Sequence, residues 1–505
     1  MPPHTNASYW MVSAGPETRP LPALDHDIEV DVAVVGAGIA GLSVASELVR
    51  EGRSVALLEA ERVAGGVTGH TTAKVSALHG ACYHDMATRF GPETAAHYAR
   101  SQMIAMDHVA DTVARLGVDC DLESRPAFVY GERGADVALL RREAAAARDA
   151  GLPATYVSDA GLPFPTFGAV RVEDQLMFHP TKYAQAVAAD IVAQGGAIYE
   201  HTRVIEHSEA GPCTLRCERG PRVRARDVVV TTHYPAFDKS LLFARLIPKR
   251  EFAVAGLVAR DDDPPGMYIN IGPDTRSLRS APYDEHRRLL IATGAPFTPG
   301  DRSAEERVAE LTDWLCSSFP VEEVTHGWAA QDNSSRDGVP FIGRLYRRAS
   351  RTWVATGFGG WGMTNGVLAG LLIRELVEGR TPHWGRVYDT RRARGGRTDS
   401  HLVRSRLRAK LATVDSTEDI TRGQAGLVTD GEGAWATYVD DDGVAHSVSS
   451  TCTHMGCMVA FNAVEREWEC PCHGSRFALD GEVVQGPATS PLRARTAAAP
   501  AYPAG

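Results

Sequence analysis

The sequence predicts two folded parts in series, a large α/β domain and a small all-β domain behind it. Three observations predict this. From Ile28 to about Gly379, β-branched runs alternate with Ala-rich stretches of helical period, the pattern of strands joined by crossover helices. Near the start, an apolar run leads into Gly36-Ala-Gly38-Ile-Ala-Gly41, the turn used by a dinucleotide-binding βαβ unit. From about Thr421 onward the helical period stops, and short apolar runs are broken by Asp-Gly, Gly-Glu-Gly and Gly-Pro turns.

Taken in order, Asp31-Val-Ala-Val-Val35 reads as a buried parallel strand, Leu42 to Glu51 as a helix, and Ser54 to Leu58 as a second strand ending at Glu59. Gly36 permits the tight turn, Gly38 lets backbone amides approach a pyrophosphate, and Gly41 allows close packing of helix on strand. The helix N-terminus offers oriented N–H donors and a partial positive charge to phosphates. Glu59 is placed to accept hydrogen bonds from the adenosine ribose hydroxyls. NAD and FAD both satisfy this fingerprint.

Composition bounds the rest. The 505 residues are 44% hydrophobic and 23% charged, with 53 Lys and Arg against 63 Asp and Glu for a net charge of −10. That balance gives no reason to expect a nucleic-acid partner. No apolar run reaches the roughly 18 residues of a membrane span. Met1 to Asp27 lacks a basic segment followed by an apolar run, so no export is expected and a cytoplasmic location follows. In that compartment clustered cysteines are metal ligands more often than disulfides. Of nine cysteines, Cys452, Cys457, Cys470 and Cys472 fall within 21 residues.

Beyond Glu59, the chain resembles the FAD-dependent amine and amino-acid oxidase superfamily, which includes glycine oxidase, sarcosine oxidase and D-amino-acid oxidase. The resemblance runs from about Ser8 to Gly379. Gly65-Gly66-Val-Thr-Gly69-His-Thr-Thr-Ala-Lys74 is similar to the family's second loop, which wraps the flavin and its phosphates. Thr202-Arg-Val204-Ile follows the Ala-rich helix that opens at His179-Pro-Thr-Lys182, and in the family backbone at the place of Val204 meets the adenine. Asp337-Gly-Val-Pro340-Phe-Ile-Gly343 and Thr356-Gly-Phe-Gly359-Gly-Trp-Gly362-Met-Thr364 match its C-terminal flavin motif. The resemblance therefore implies FAD, held by Gly36, Gly38, Gly41, Glu59, Thr71, Thr72, Val204, Gly357, Gly359, Gly360, Gly362, Met363 and Thr364. It also implies a Rossmann-like FAD-binding α/β domain over 28–385. Within that domain it implies an inserted mixed or antiparallel-sheet substrate subdomain at about 86–170 and 240–325, with residues 1–27 as an N-terminal extension.

Relatives acting on glycine and sarcosine often carry an Arg, five residues before the Asp of Asp-Gly-x-Pro, that grips a substrate carboxylate. Asp332 stands there in this chain. An anion cannot clamp a carboxylate; it pairs with an ammonium or forms a surface salt bridge. Arg336 is the alternative carboxylate partner. No general base is assigned. His79 and His84 share the His-x4-His spacing of an iron site, but position 76 is Ser where an Asp ligand is needed, so both are read as structural. Cys213 and Cys217 lack an accompanying ligand pair and are also read as structural.

From Arg386 to Lys410 the chain carries eight Arg and one Lys against Asp389 and Asp399, read as a basic connector over 386–420. Behind it come Cys452-Thr-His454-Met-Gly-Cys457 and Cys470-Pro-Cys472-His473-Gly-Ser475-Arg-Phe477. Cys-x-His and Cys-x2-His on paired loops suit a 2Fe–2S centre with two thiolates and two imidazoles. Zinc fingers, by contrast, pair Cys with Cys and His with His along the chain. The stretch Gln424 to Leu492 resembles the Rieske proteins. That resemblance implies an all-β domain over 421–505, with Cys452 and Cys470 on the inner iron and His454 and His473 on the outer one. It also implies a bracing disulfide between Cys457 and Cys472, and Gly486-Pro487-Ala488 as the cover loop. Phe477 replaces the Tyr of high-potential members, which predicts a potential below theirs, within the window of about −150 to +300 mV.

A flavin takes two electrons and a Rieske centre passes one. The expected function is dehydrogenation of a small amine or amino acid, with single electrons leaving through the cluster to an external acceptor. Two other readings stay open here: a Rieske module serving as redox sensor or docking domain, and an electron-transfer protein serving a separate partner.

Overall fold

The computed structural model describes residues 8–15, 20–237, 242–272, 274–297, 299, 304–392, 411–431 and 433–495. The chain divides into two compact units, Met1–Pro296 with Glu306–Arg397 and Phe297–Glu305 with Thr398–Gly505.

The first unit is built on two sheets. In one, five parallel strands lie side by side in the order Thr352–Thr356, Arg222–Val230, Ile28–Val35, Val55–Leu58 and Ala197–Tyr199. Phe341–Arg344 adds an antiparallel edge. Register pairs Val35 with both Leu58 and Val230, and Val230 with Val354. The chain therefore leaves these strands along one edge. Val32 and Val34 pack with the helices Ile39–Arg50 and Gly362–Val377, whereas Ala33 and Val35 pack with the Val204–Ser208 and Cys213–Cys217 hairpin. Burial on both faces is why this strand is continuously apolar rather than alternating. Cys213 and Cys217 are core residues of that hairpin.

The other sheet has nine strands. Its order is Glu323–Ser335, Leu246–Ala259, Arg287–Phe297, Arg276–Pro282, Met267–Asn270, Glu123–Tyr130, Ala169–Met177 and Lys74–Val75, with Thr155–Val157 beside Ala169–Met177. It is mixed, because Met267–Asn270 runs parallel to Glu123–Tyr130. The segments that build it reach wider than 86–170 and 240–325, since Lys74–Val75 closes one edge and Glu323–Ser335 the other. Those limits come from long-range pairing, Lys74 with Met177 and Leu246 with Ser335, which local periodicity does not reveal. The stretch 1–27, read as an extension, contains the helix Tyr9–Ser13, whose Trp10 is 1% exposed.

The second unit carries two four-stranded sheets. One holds Ala412–Val414, Ala425–Asp430, Gly433–Val439 and Ala445–Ser449; the other holds Ala460–Asn462, Glu467–Glu469, Arg476–Phe477 and Val483–Gln485. Ala412–Val414 pairs parallel with Gly426–Val428, so the β unit starts ahead of residue 421. A three-residue edge strand is too short to announce itself by period. Of the basic stretch 386–420, residues 393–410 lie outside the described residues. Its beginning is anchored: Arg392 grips Asp337 through two hydrogen bonds of 2.7 and 2.8 Å. Among the described residues, no helix is long and apolar enough to cross a membrane.

The mixed sheet buries an ionic knot. Arg288 is bonded to both carboxylate oxygens of Glu123 at 2.9 and 2.6 Å, and its Nε lies 2.8 Å from Asp263. Arg125 also reaches Asp263 at 3.0 Å and Glu123 at 3.8 Å, so removing Arg288 leaves each carboxylate with a remaining cation, and the cost is about 1–3 kcal/mol. Arg288→Met is expected to lower the stability of the first unit by that amount, read from its denaturation midpoint. A shift under about 0.5 kcal/mol, the size of an exposed substitution, would contradict the assignment.

Candidate functional site

The edge where the parallel strands end collects the first group of residues. Gly36 turns at φ +101°, and the helix Ile39–Arg50 starts immediately after Gly38, which caps it with no side chain. A Cβ on Gly41 would lie 1.8 Å from the Gly36 carbonyl oxygen and 2.8 Å from Thr231 Oγ1, so only glycine fits. The Thr231 hydroxyl lies 2.9 Å from the carbonyls of both Val35 and Gly36. Ile39 N–H donates to Thr68 Oγ1 at 2.9 Å, which brings the loop Gly65–Lys74 against the helix start. Glu59 accepts from the amides of Ala37 at 2.7 Å and Glu61 at 3.0 Å. Burial raises its carboxyl pKa above the usual range. The Glu59 backbone in turn binds Tyr199 and Thr202, holding the segment that leads into Val204.

On the same edge, Gly357, Gly359 and Gly360 take positive φ values of 74, 64 and 86° between the strand Thr352–Thr356 and the helix Gly362–Val377. Thr364 Oγ1 exchanges hydrogen bonds of 3.0 Å with Ser76 N–H and Ser76 O, just beyond Lys74. Gly359 N–H donates to Asn333 O at 3.2 Å, which ties this turn to the mixed sheet. Thus the residues around Gly36, Thr68, Glu59 and Val204 are joined by direct bonds, and those around Gly357 to Thr364 reach the loop through Ser76. Two helix starts, and a turn with no room for a Cβ at Gly36 and Gly41, are what a dinucleotide requires, so the donor set fits FAD.

Charged residues gather on the mixed sheet. Asp332 lies opposite Lys249 in register and 3.6 Å from His233 Nε2. Glu251 is two residues from Lys249 and so on the same face of its strand. Its carboxyl is pushed up to about 6, by burial first and by the charge of Asp332 second. The Lys74 ammonium donates to Tyr268 O at 3.1 Å and to the Ser277 hydroxyl, and burial brings it down to about 7. Arg336 is turned elsewhere, its Nε donating to Ala244 O at 3.0 Å. Sequence reasoning gave Lys74 no role beyond ending the loop motif and did not single out Glu251, because a lone charge in a strand reads as surface. His79 bonds Tyr98 OH and Ser76 O through its two ring nitrogens, each at 2.6 Å, and stacks on Trp361, which gives it a structural place.

In the second unit, two matching turns face each other. Cys452 N–H donates to Cys457 O and Gly456 N–H to Cys452 O; Cys470 N–H donates to Ser475 O and Gly474 N–H to Cys470 O. Cys452, Cys470 and His473 are buried, and His454 is half-buried. The two imidazoles meet edge to face with centroids 4.9 Å apart, and the thiols of Cys452 and Cys470 are hydrogen-bonded to each other. Cys457 and Cys472 form a disulfide between the turns, with Cα atoms 6.6 Å apart. The sulfurs of Cys457, Cys470 and Cys472 lie within 4.8 Å of one another, but two of these are consumed in the disulfide and offer no thiolate. What remains is two thiols and two imidazoles, the set a Rieske 2Fe–2S centre takes. Ser475 sits between this pocket and the cover loop, accepting from Ala488 N–H at 3.1 Å and bonding the Cys452 thiol.

The model of the FAD dependent oxidoreductase family matches residues 31–376, and the Rieske [2Fe-2S] domain matches residues 410–500. A Bacillus subtilis (strain 168) protein named as a Rieske 2Fe-2S iron-sulfur protein, YhfW, is 30% identical over 96% of this chain and 97% of its own length. Gamma-glutamylputrescine oxidoreductase of Escherichia coli (strain K12) is 25% identical over 75% of this chain and 90% of its own. Glycine oxidase from Geobacillus kaustophilus has the same fold, with a TM-score of 0.61 over 73% of this chain and all of its own, at 20% identity.

Two outcomes test the site. Gly41→Val is expected to yield protein without flavin absorbance but with an intact cluster spectrum; normal flavin content would contradict the cradle. Ser475→Ala is expected to lower the cluster potential by roughly 40–60 mV, the worth of one hydrogen bond of about 1 kcal/mol to sulfur. An unchanged potential in a redox titration would remove Ser475 from that role.

Proposed function

This chain belongs to the FAD-dependent oxidoreductase family and carries a Rieske 2Fe–2S domain behind it, and from that premise we propose that it dehydrogenates a small amine or amino acid and passes single electrons through the cluster to an external acceptor. The observation that carries this reading is one chain holding both donor sets: the glycine cradle with Glu59, and Cys452, Cys470, His454 and His473. Bound FAD supplies acceptance of two electrons with a hydride, and a bound Rieske centre supplies transfer of one electron at a time. The glycine turn and the helix starts orient the cofactor, and the mixed sheet shapes the substrate side.

The residue at the clamp position favours a cationic amine over an amino acid. Asp332 occupies the place where glycine- and sarcosine-type relatives put an Arg, and Glu251 adds a second carboxylate to the same strand pair. With Arg336 engaged on Ala244, no guanidinium is offered from the position that served as the alternative carboxylate partner. Gamma-glutamylputrescine oxidoreductase, similar over 75% of this chain, is named for a putrescine derivative.

The electron route is tested by acceptor choice. Turnover with a one-electron dye is expected to exceed turnover with oxygen, and His454→Ala should remove the dye-linked rate while leaving substrate reduction of the flavin intact. Stoichiometric peroxide formation unaffected by His454→Ala would contradict the route.

The substrate side is tested by pH. Glu251 is a carboxylate above about 6 and neutral below, so affinity for a non-oxidisable quaternary ammonium analogue is expected to weaken as pH falls through 6. The slope should approach about tenfold per pH unit, one proton per cation bound. Glu251→Gln should flatten that profile, and a flat profile in the unsubstituted protein would contradict the assignment.

A further inference from the structure

The loop Gly65–Lys74 is held by its carbonyls. Trp328 Nε1 donates to His70 O at 2.9 Å, Trp10 Nε1 donates to Thr71 O at 2.6 Å, and Arg279 Nη1 reaches Thr72 O at 3.1 Å and Ala73 O at 2.8 Å. Four successive carbonyls are thus taken by three side chains. Upstream, the Ser8 hydroxyl donates to Gly69 O. A Cβ on Gly69 would meet Met11 Sδ at 2.5 Å, so helix and loop touch with no space between them. Two of these anchors, Ser8 and Trp10, come from residues that precede the first strand.

The anchors are themselves locked. Trp10 is 1% exposed and packs with Ala73, Ala253 and Trp328. The Arg279 guanidinium, also buried, stands 5.1 Å over the Trp10 ring. Its remaining hydrogen bonds go to the carbonyls of Ser280 and Phe178. Tyr9 OH donates to Pro282 O at 3.2 Å, and Ser13 Oγ lies 3.0 Å from His179 Nε2. The short helix is therefore joined to the mixed sheet and to the start of the helix Pro180–Ala193. Ala73 takes a φ of +58°, a conformation that a residue with a Cβ keeps only when its surroundings enforce it.

We propose that the N-terminal segment Ser8–Ser13 is a working part of the flavin site: its Trp10, with Arg279 and Trp328, sets the shape of the loop Gly65–Lys74 by holding the carbonyls of His70 to Ala73. This rests on reading that loop, with Thr71 and Thr72, as flavin-binding. With the carbonyls consumed on the anchored side, the loop can change shape only by leaving a buried carbonyl without a donor. Trp10 acts through the loop and is a positioning residue.

The test uses the full-length holoprotein carrying Trp10→Phe, which keeps an aromatic ring beneath Arg279 and removes one donor, beside Thr72→Pro, which removes a loop N–H and leaves Trp10 untouched. FAD dissociation is measured by reconstituting flavin-stripped protein, together with the visible spectrum of the bound flavin and the spectrum of the cluster. Trp10→Phe is expected to weaken FAD binding roughly five- to tenfold, the effect of one lost hydrogen bond to a part-buried carbonyl. It should also shift the flavin spectrum and leave the cluster unchanged. FAD affinity within twofold of the unsubstituted protein overturns the proposal, even if the melting temperature falls. In that event, a loss of affinity in Thr72→Pro would leave the loop reading standing, whereas unchanged affinity in both variants would overturn the loop reading as well.

Discussion

The first unit depends on a contact that leaves no room for a side chain. Gly41 of the first helix lies against the Gly36 carbonyl and the Thr231 hydroxyl, and that hydroxyl bonds the last carbonyls of the first strand. The glycine turn and the distant Thr231 meet there with no space for a side chain on the helix. Because the helix sits so close, its first amides emerge at the ends of the parallel strands, where Glu59 and Thr68 bind neighbouring N–H groups. Any Cβ at position 41 would push the helix away and dissolve this arrangement, which is why the rest of the nucleotide side follows from it.

The two redox sites are built by opposite means. As proposed, the flavin side uses backbone, with glycine turns, helix starts and a loop whose carbonyls are consumed by Trp10, Trp328 and Arg279. The cluster side uses side chains, two thiols and two imidazoles on turns that a disulfide ties together. A backbone site tolerates little change in packing, because each hydrogen bond depends on chain path. A side-chain site tolerates change around it so long as the two turns keep their separation. The proposed substrate side adds charge: Asp332, Glu251 and Lys74 stand on a sheet whose ion pairs, Arg288 with Glu123 and Asp263, link its strands.

Much of this was legible in the sequence wherever chemistry depends on local spacing. Gly36-x-Gly38-x-x-Gly41 and Cys452-x-His454 can be read within a few residues; in the structure Gly41 lies against Gly36, and the His454 and His473 rings meet at 4.9 Å. The all-β unit was recognisable from its turns, but its first strand, Ala412–Val414, was too short to show a period. What remained hidden depends on register between distant strands. Glu251 approaches Asp332 only because Leu246–Ala259 pairs with Glu323–Ser335 in one alignment. Trp10 gave no signal at all: a five-residue helix ahead of the first strand has no periodicity, and its partners lie in the loop at Thr71 and in the sheet at Arg279.

Electron flow from flavin to cluster is the central claim, and rapid mixing tests it most directly. Oxidised holoprotein is mixed anaerobically with an amine that reduces it, and flavin absorbance and the reduced-cluster paramagnetic signal are followed in the same time course. Flow through the cluster predicts that the cluster signal rises after flavin bleaching, at a rate sufficient for turnover with a one-electron acceptor. A flavin fully reduced by substrate beside a cluster that stays oxidised would contradict it and leave the Rieske unit as a sensor or docking domain.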